Sequence, residues 1–114
     1  MSLESGYFEH ERLDAYRVAR QVLELLGERR GAFAGSAWLY QQAARAAGSV
    51  VLNVAEGASL LARGAKKRHY GIALGSCGEL GAALDVAKAL GVSGLGEVVE
   101  LNRRVGQMLG KLAR

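Results

Sequence analysis

Apolar residues recur every three or four positions through most of the chain, which is the spacing of one face of an α-helix. This periodicity predicts four helices, over residues 10–30, 36–61, 65–90 and 93–112. Their clearest apolar stripes include Ala15, Val18, Val22 and Leu26; Leu39, Ala43, Val50, Val54 and Leu61; Tyr70, Ala73, Cys77, Leu80 and Leu84; and Val98, Leu101, Val105 and Met108. The second helix carries a further stripe beside the first, so we expect it to be buried on more than one side.

The predicted helices are separated by short breaks. Ser36 and Ser93 are candidate N-caps of the second and fourth helices, and Gly91 is a candidate stop for the third. The chain contains no proline, the residue that most often interrupts a helix. Since short connections make successive helices antiparallel, the pattern predicts an all-α, single-domain protein (residues 1–114) folded as an up-down-up-down four-helix bundle.

Composition narrows the class of protein. Half of the 114 residues are apolar, which is enough for a core and too many for a disordered chain. Cys77 is the one cysteine, and His10 and His69 lack metal-ligand spacing, so we expect no disulfide, metal or other cofactor. The N-terminus has no apolar segment typical of a secretory signal, and no apolar run could cross a bilayer. These features predict a cytoplasmic protein that does not enter a membrane.

A line of polar residues runs along one side of the second helix. Its members are Gln42, Arg45, Ser49, Asn53 and Glu56, at steps of three and four. Gln42 fits an ordinary solvated face. Ser49, Asn53 and Glu56 are densely flanked by apolar residues, and a buried polar group without a partner costs ~1–3 kcal/mol. We therefore expect a hydrogen-bonded structural cluster here and no catalytic set, since no substrate pocket accompanies it.

The third helix offers a counterpart to this line. Ser76 and Glu79 interrupt an otherwise apolar stripe that includes Ile72 and Val86. A carboxylate is rarely buried without a partner, so we hypothesise an ion pair between Arg45 and Glu79. The alternative is an exposed Glu79 at the edge of the bundle. The predicted polar cluster comprises Arg45, Ser49, Asn53, Glu56, Ser76 and Glu79.

Small residues form a further stripe on the third helix, at Gly71, Gly75, Gly78 and Ala82. Each glycine costs a helix about 1 kcal/mol relative to alanine, so several on one face favour close approach of another helix. That helix could belong to the same chain or to a second subunit. The alternative is a bias of composition without structural meaning.

A basic run lies where the second helix gives way to the third. Arg63, Lys66, Lys67 and Arg68 occur with no acid between Glu56 and Glu79, in a chain whose net charge is +4. Cations are unfavourable at a helix N-terminus, which is already positive, so phosphate binding is a candidate role for them. The alternative is a solvated turn. A weaker basic cluster occurs on the fourth helix, at Arg103, Arg104, Lys111 and Arg114.

Three segments carry a resemblance over nearly the whole chain. "FEHERLDAYRVA", "QQAARAAGSVVLNVAEG" and "GSCGEL", in this order and spacing, resemble the four-helix-bundle family of proteins encoded in 23S rRNA intervening sequences. In this resemblance, Asn53, Glu56 and Gly57 match the family signature, and Ser76 and Glu79 match a polar pair on the third helix. Arg63, Lys66, Lys67 and Arg68 match the family's basic turn.

The resemblance implies assembly as a ring-shaped homopentamer. A related branch, the accessory protein of diversity-generating retroelements, works with a reverse transcriptase and binds nucleic acid through a basic surface. By this resemblance we expect a non-enzymatic protein that self-assembles and binds RNA or DNA as a ribonucleoprotein accessory factor, with a reverse transcriptase as a candidate protein partner. The alternative is a protein-interaction scaffold that binds no nucleic acid.

Overall fold

A computed structural model describes residues 9–114 of the protein. These residues form α1 (Asp14–Glu28), α2 (Ala37–Ser59), α3 (Arg63–Ala89) and α4 (Gly96–Leu112), with 3-10 turns at Glu9–Arg12 and Arg30–Phe33. The described part contains no strand, so the predicted all-α class with four helices is confirmed. Over the same residues, no helix combines the length and the apolar character needed to cross a membrane. The prediction that the N-terminus carries no secretory signal falls mainly on residues 1–8, outside the described part.

The helix ends differ from the predicted ones by a few residues. The first predicted helix covers both the 3-10 turn at Glu9–Arg12 and α1. In the structure, extended backbone at Leu13 separates these two elements. Gly91 ends α3 as predicted, with a φ of +92° that favours glycine. The prediction of Ser93 as a cap is wrong, since Gly94 adopts a φ of +81° and α4 begins only at Gly96. Ser36 does precede α2, but its side chain makes no capping hydrogen bond.

The break between α2 and α3 is also placed differently. α2 ends at Ser59 and α3 begins at Arg63, so the turn consists of residues 60–62. The prediction that Leu61 belongs to a buried stripe is therefore wrong. Leu61 lies in the turn and is 98% exposed.

The core lies between the apolar stripes of the four helices. α2 packs most extensively against α3, α3 also packs against α4, and α1 packs against both α4 and α2. The largest fully buried side chains are Val22, Leu26, Phe33, Val54, Leu80, Leu84, Val98, Val105 and Leu109. All except Phe33 and Leu109 belong to the stripes predicted from the periodicity, and Phe33 closes the core from the 3-10 turn before α2.

The two central helices are the longest. At about 1.5 Å per residue, α2 (23 residues) and α3 (27 residues) extend for roughly 35 and 40 Å. α1 and α4 have only 15 and 17 residues. The longest dimension of the molecule is 43 Å, so α3 alone nearly spans it. The helix α3 thus extends past the shorter helices, which leaves part of its surface without a neighbour.

Candidate nucleic-acid interface

A seam of hydrogen bonds joins α2 to α3 next to the basic turn. The hydroxyls of Ser49 and Ser76 lie 2.8 Å apart, and Ser76 is buried. The amide nitrogen of Asn53 donates to the carbonyl oxygen of Ser49 at 2.9 Å and lies 3.2 Å from its hydroxyl. The structure thus brings together three of the six residues of the predicted polar cluster.

A histidine absent from the prediction completes the seam. His69 Nδ1 lies 3.1 Å from Asn53 Oδ1. The Ser49 carbonyl can only accept a hydrogen bond, so it fixes the Asn53 amide with Oδ1 towards His69, and Nδ1 of the histidine must donate. In its neutral form His69 therefore carries its proton on Nδ1. The signal in the sequence was the predicted antiparallel pairing of the second and third helices, since a helix that brings Ser76 to Ser49 also brings residue 69 close to Asn53.

The three charged members of the predicted cluster do not join the seam. Arg45, Glu56 and Glu79 are all exposed. Among the residues whose side chains the structure describes, ion pairs connect neighbours on the same helix, and none joins Arg45 to Glu79. The hypothesised Arg45–Glu79 pair is therefore not formed within one chain, and the alternative of an exposed Glu79 describes it.

Lys66 is separated from the other cations of the basic run by its contacts. Its ammonium group donates to the carbonyl oxygens of Gly57 and Ala58, at 3.1 and 2.9 Å. These carbonyls lie in the last turn of α2, where the helix has no partner of its own for them and its dipole is negative. Lys66 thus caps the C-terminal end of α2. The sequence does not predict this structural role, because its pattern groups Lys66 with three other candidate phosphate-binding cations.

Gly57 allows the start of α3 to pack closely against the end of α2. A Cβ atom at this position would lie 2.8 Å from Cε1 of Tyr70 and 3.0 Å from Cδ1. Tyr70 is buried, and its burial raises the pKa of the phenol above the ordinary value. The Glu-Gly step of the signature segment therefore has a packing reason, because only glycine leaves room for the ring.

Three cations of the basic run remain without a bonding partner among the described residues. Arg63 and Arg68 are exposed and Lys67 is half-buried. All three lie in the first two turns of α3, within about 8 Å along the helix axis. Positive side chains in this position concentrate positive potential at the end of the α2–α3 pair, which suits a polyanion.

The sequence as a whole agrees with one family. The family model of the 23S rRNA-intervening sequence protein matches residues 11–114. The chain belongs to this family. No curated protein is similar enough to this chain to be reported as a relative. The resemblance stated from the seam residues and the basic turn is thus confirmed at the level of the family.

The glycine stripe of this family member faces outward. A Cβ atom added at Gly71, Gly75 or Gly78 would meet nothing within 4 Å. Close approach of a helix from the same chain, one of the two possibilities, is therefore excluded for these three positions. Approach of a second subunit stays a prediction.

Large apolar side chains are exposed beside this stripe. Trp38 and Leu52 lie on the solvent side of α2, at 60% and 71% exposure, and Ile72 and Val86 lie on that of α3. The two residues of each pair are fourteen positions apart, so they lie on nearly the same side of their helix. We name these four residues the α2–α3 outer face. Among the described residues, every exposed large apolar side chain belongs to α2, to α3 or to their ends.

A second polar contact joins α3 to α4 inside the core. The Cys77 thiol lies 3.1 Å from Oδ1 of Asn102, and the Asn102 amide nitrogen donates to the Cys77 carbonyl oxygen at 3.1 Å. Burial raises the pKa of the Cys77 thiol. Cys77 is buried as predicted, whereas Asn102 was missed because it lies directly beside the apolar stripe of α4. No group of potential metal ligands occurs in the described part of the chain.

Proposed function

We propose that this protein is a non-enzymatic, self-assembling factor that binds RNA or DNA through Arg63, Lys67 and Arg68. The observation that carries the proposal is the set of three unpaired cations at the start of α3, after Lys66 has been used for capping. The description of the family supports an association with RNA. An accessory role in a ribonucleoprotein is the function that agrees with both.

The proposed fold is an antiparallel up-down-up-down bundle. Two contacts support it for the central pair, because Ser49 meets Ser76 whereas Gly57, later in α2, meets Tyr70, earlier in α3. The short turns before α2 and α4 support the same arrangement for the other helices. The proposed assembly is a ring-shaped pentamer, and the exposed glycine stripe with the α2–α3 outer face supplies an apolar surface for it.

The test of nucleic-acid binding is the dependence of affinity on salt. Phosphate contacts release counterions, so log K should fall linearly with log salt with a slope of about −0.9 for each phosphate neutralised on a duplex. We expect the wild-type chain to bind mixed RNA and DNA in low salt and to lose them in high salt. Light scattering with and without nucleic acid, together with fluorescence anisotropy, measures both the mass and the affinity.

A matched pair of triple variants locates the site. Arg63→Glu, Lys67→Glu and Arg68→Glu together should abolish binding. The control reverses three other exposed cations, Lys88, Arg103 and Arg104, and so changes the net charge equally. If both variants lose binding equally, the loss is due to net charge and not to these three positions. If the first variant binds nucleic acid like wild type, the proposal is contradicted.

The second candidate function is a protein-interaction scaffold. The α2–α3 outer face favours it, because exposed apolar residues of this size on one side of a helix pair are typical of protein interfaces. A reverse transcriptase stays a proposed protein partner of the nucleic-acid-binding factor. If the mass of the particle is the same with and without nucleic acid, in low and in high salt, the scaffold is favoured over the nucleic-acid-binding factor.

A further inference from the structure

The turn between α2 and α3 places one leucine almost completely in solvent. Leu61 is 98% exposed. On either side of it, Leu60 and Ala62 have extended backbone, with ψ angles of 147° and 127°, so Leu61 is presented by a stretched segment between two helices. Single exposed leucines are common on protein surfaces and carry no meaning alone. This one directly precedes the three unpaired cations.

The turn that carries Leu61 is anchored on its α2 side. Lys66 binds the carbonyls of Gly57 and Ala58, and the Ser59 hydroxyl donates to the carbonyl oxygen of Ala55 at 2.9 Å. The chain therefore passes from α2 into α3 over only three residues, and the Lys66 side chain ties the start of α3 to the end of α2. This anchoring keeps the apolar side chain at a set position relative to Arg63, Lys67 and Arg68.

We infer that Leu61 is an apolar wedge that contacts the stacked bases of a nucleic-acid duplex while the three cations bind the flanking phosphates. The inference rests on the proposed function and adds the form of nucleic acid and the residue that touches bases. Leucine is among the side chains that proteins insert between base steps from the minor groove, which partly unstacks them.

The surroundings of Leu61 favour a duplex over a single strand. Proteins that hold single strands stack the bases on exposed aromatic rings. Beside the basic run, the Tyr70 ring is buried and the half-buried His69 ring is held by its contact with Asn53, and Trp38 lies in the first turn of α2, at the far end from this turn. Stacked bases and phosphates are common to DNA and RNA duplexes, so the experiment includes both.

A membrane surface is the competing partner for a leucine beside cations. One leucine side chain buries far less apolar surface than a single acyl chain, and a single acyl chain gives only marginal membrane binding. The turn offers one such side chain, so the duplex is the partner that the observations favour. Vesicles enter the experiment as a comparison.

The experiment uses the full chain and duplexes of DNA and of RNA that contain the fluorescent base 2-aminopurine at several positions. Unstacking raises the fluorescence of this base. The wild-type chain should raise it, whereas Leu61→Ser should not, with affinity lowered about five- to tenfold and the salt slope unchanged. The control is Leu90→Ser, which alters a leucine 58% exposed at the other end of α3 and should behave as wild type. A response with one duplex alone identifies that duplex as the ligand.

Other results would overturn the inference. Leu61→Ser that binds the duplexes and brightens the probe like wild type contradicts the wedge but leaves phosphate binding by the cations intact. Binding to vesicles of phosphatidylserine and phosphatidylcholine that requires Leu61, with no response from either duplex, assigns the residue to a membrane surface. A wild-type chain that binds no nucleic acid at all contradicts the proposed function itself.

Discussion

At the scale of single residues, the seam between α2 and α3 is a set of small polar groups that satisfy one another. Ser49, Asn53, His69 and Ser76 are linked in a chain, and no buried side-chain nitrogen or oxygen of the described residues lacks a hydrogen-bond partner. Because an unmet buried group would cost ~1–3 kcal/mol, a shift of one helix along the other is penalised. The seam therefore specifies how α2 and α3 align.

The close contact of Gly57 with Tyr70 leads to a prediction about stability. Gly57→Ala places a methyl group 2.8 Å from a buried ring, so the ring or a helix must move. We expect the free energy of unfolding to fall by about 1–2 kcal/mol, although alanine is the better helix former. Urea unfolding at equal protein concentration measures the change.

The control for this prediction lies on the same helix. A Cβ atom at Gly48 would meet nothing within 4 Å, so Gly48→Ala should raise the free energy of unfolding by up to ~1 kcal/mol. A loss of stability in both variants would show that α2 tolerates substitution poorly in general. It would contradict the explanation by a specific contact between Gly57 and Tyr70.

Cys77 leads to a prediction about pH. Its burial raises the pKa of the thiol above the ordinary value of 9.0, so the folded chain keeps a proton that the unfolded chain releases. Since the unfolded state then binds fewer protons, the free energy of unfolding should be unaffected below about pH 8 and should fall as the pH rises past 9. The slope is at most about 1.4 kcal/mol per pH unit.

Comparison with Cys77→Ser isolates this effect. Serine keeps a hydroxyl for the contact with Asn102 but does not titrate in this range. The difference in unfolding free energy between the two proteins, measured by urea between pH 7 and 9.8, should narrow or reverse as the pH rises. Parallel pH profiles would contradict the prediction. Tyr70, whose ordinary pKa is 10.0, is present in both proteins.

The predicted polar cluster contains three uncharged residues that the structure brings together and three charged residues that it leaves exposed. Ser49, Asn53 and Ser76 were recognisable because dense apolar neighbours on both sides force a polar residue to find a partner. Arg45, Glu56 and Glu79 share that spacing, but a small rotation of a helix decides whether such a position faces its neighbour or solvent. The spacing of residues along the sequence does not specify that rotation. His69 was overlooked because it ends a run of cations.

At the scale of elements, the basic run at the start of α3 has two roles. Lys66 satisfies the last carbonyls of α2, whereas Lys67, its neighbour in sequence, makes no hydrogen bond with the described residues. Consecutive residues on a helix point about 100° apart, so Lys67 is directed away from the α2 carbonyls that Lys66 reaches. The start of α3 thus holds the end of α2 and also forms the proposed interface.

Replacement of each lysine by methionine should separate these tasks. Lys66→Met loses two charge-assisted hydrogen bonds, so we expect about 1–2 kcal/mol less stability in urea and an unchanged salt slope of nucleic-acid binding. Lys67→Met should cost under about 0.5 kcal/mol and reduce the salt slope by about one. The opposite assignment of the two effects would show that Lys66, and not Lys67, contacts phosphate.

The elements themselves were predictable from the periodicity, and their ends only in part. All four helices occur where the apolar stripes predict them, because burial of a stripe is what stabilises a helix in a protein. Gly91 was a reliable stop, since its positive φ suits glycine. Ser93 does not cap α4 because Gly94, the next residue, has a positive φ and turns the chain again. Glycine permits a positive φ but does not require it, so the sequence alone did not predict this turn.

At the scale of the whole molecule, most of the exposed large apolar side chains of the described residues lie on α2 and α3. Trp38, Leu52, Ile72 and Val86 face solvent on the two longest helices, next to glycines that would let another helix approach closely. A chain that exposes this surface gains free energy by covering it, because burial releases about 25 cal/mol per Å² of apolar area. Covering by further copies of the same chain is the arrangement that the proposed function includes.

Trp38 makes this assembly measurable, because it is the one tryptophan of the chain. In an assembly through the α2–α3 outer face its indole should leave water, so its fluorescence emission should lie at shorter wavelength than in an isolated subunit. Ile72→Glu adds a charge to the same face and should shift the emission to longer wavelength. Light scattering should then give a mass near the 12.1 kDa of one chain, against a multiple of it for wild type.

The control for this variant is Gln21→Glu, which adds the same charge at an exposed position on α1. It should keep both the emission and the mass of wild type, because α1 contributes nothing to the outer face. A wild-type particle of one chain would contradict self-assembly. An assembly that survives Ile72→Glu with unchanged emission would place the subunit contact elsewhere, and it would leave the α2–α3 outer face available to a different protein, as the scaffold function requires.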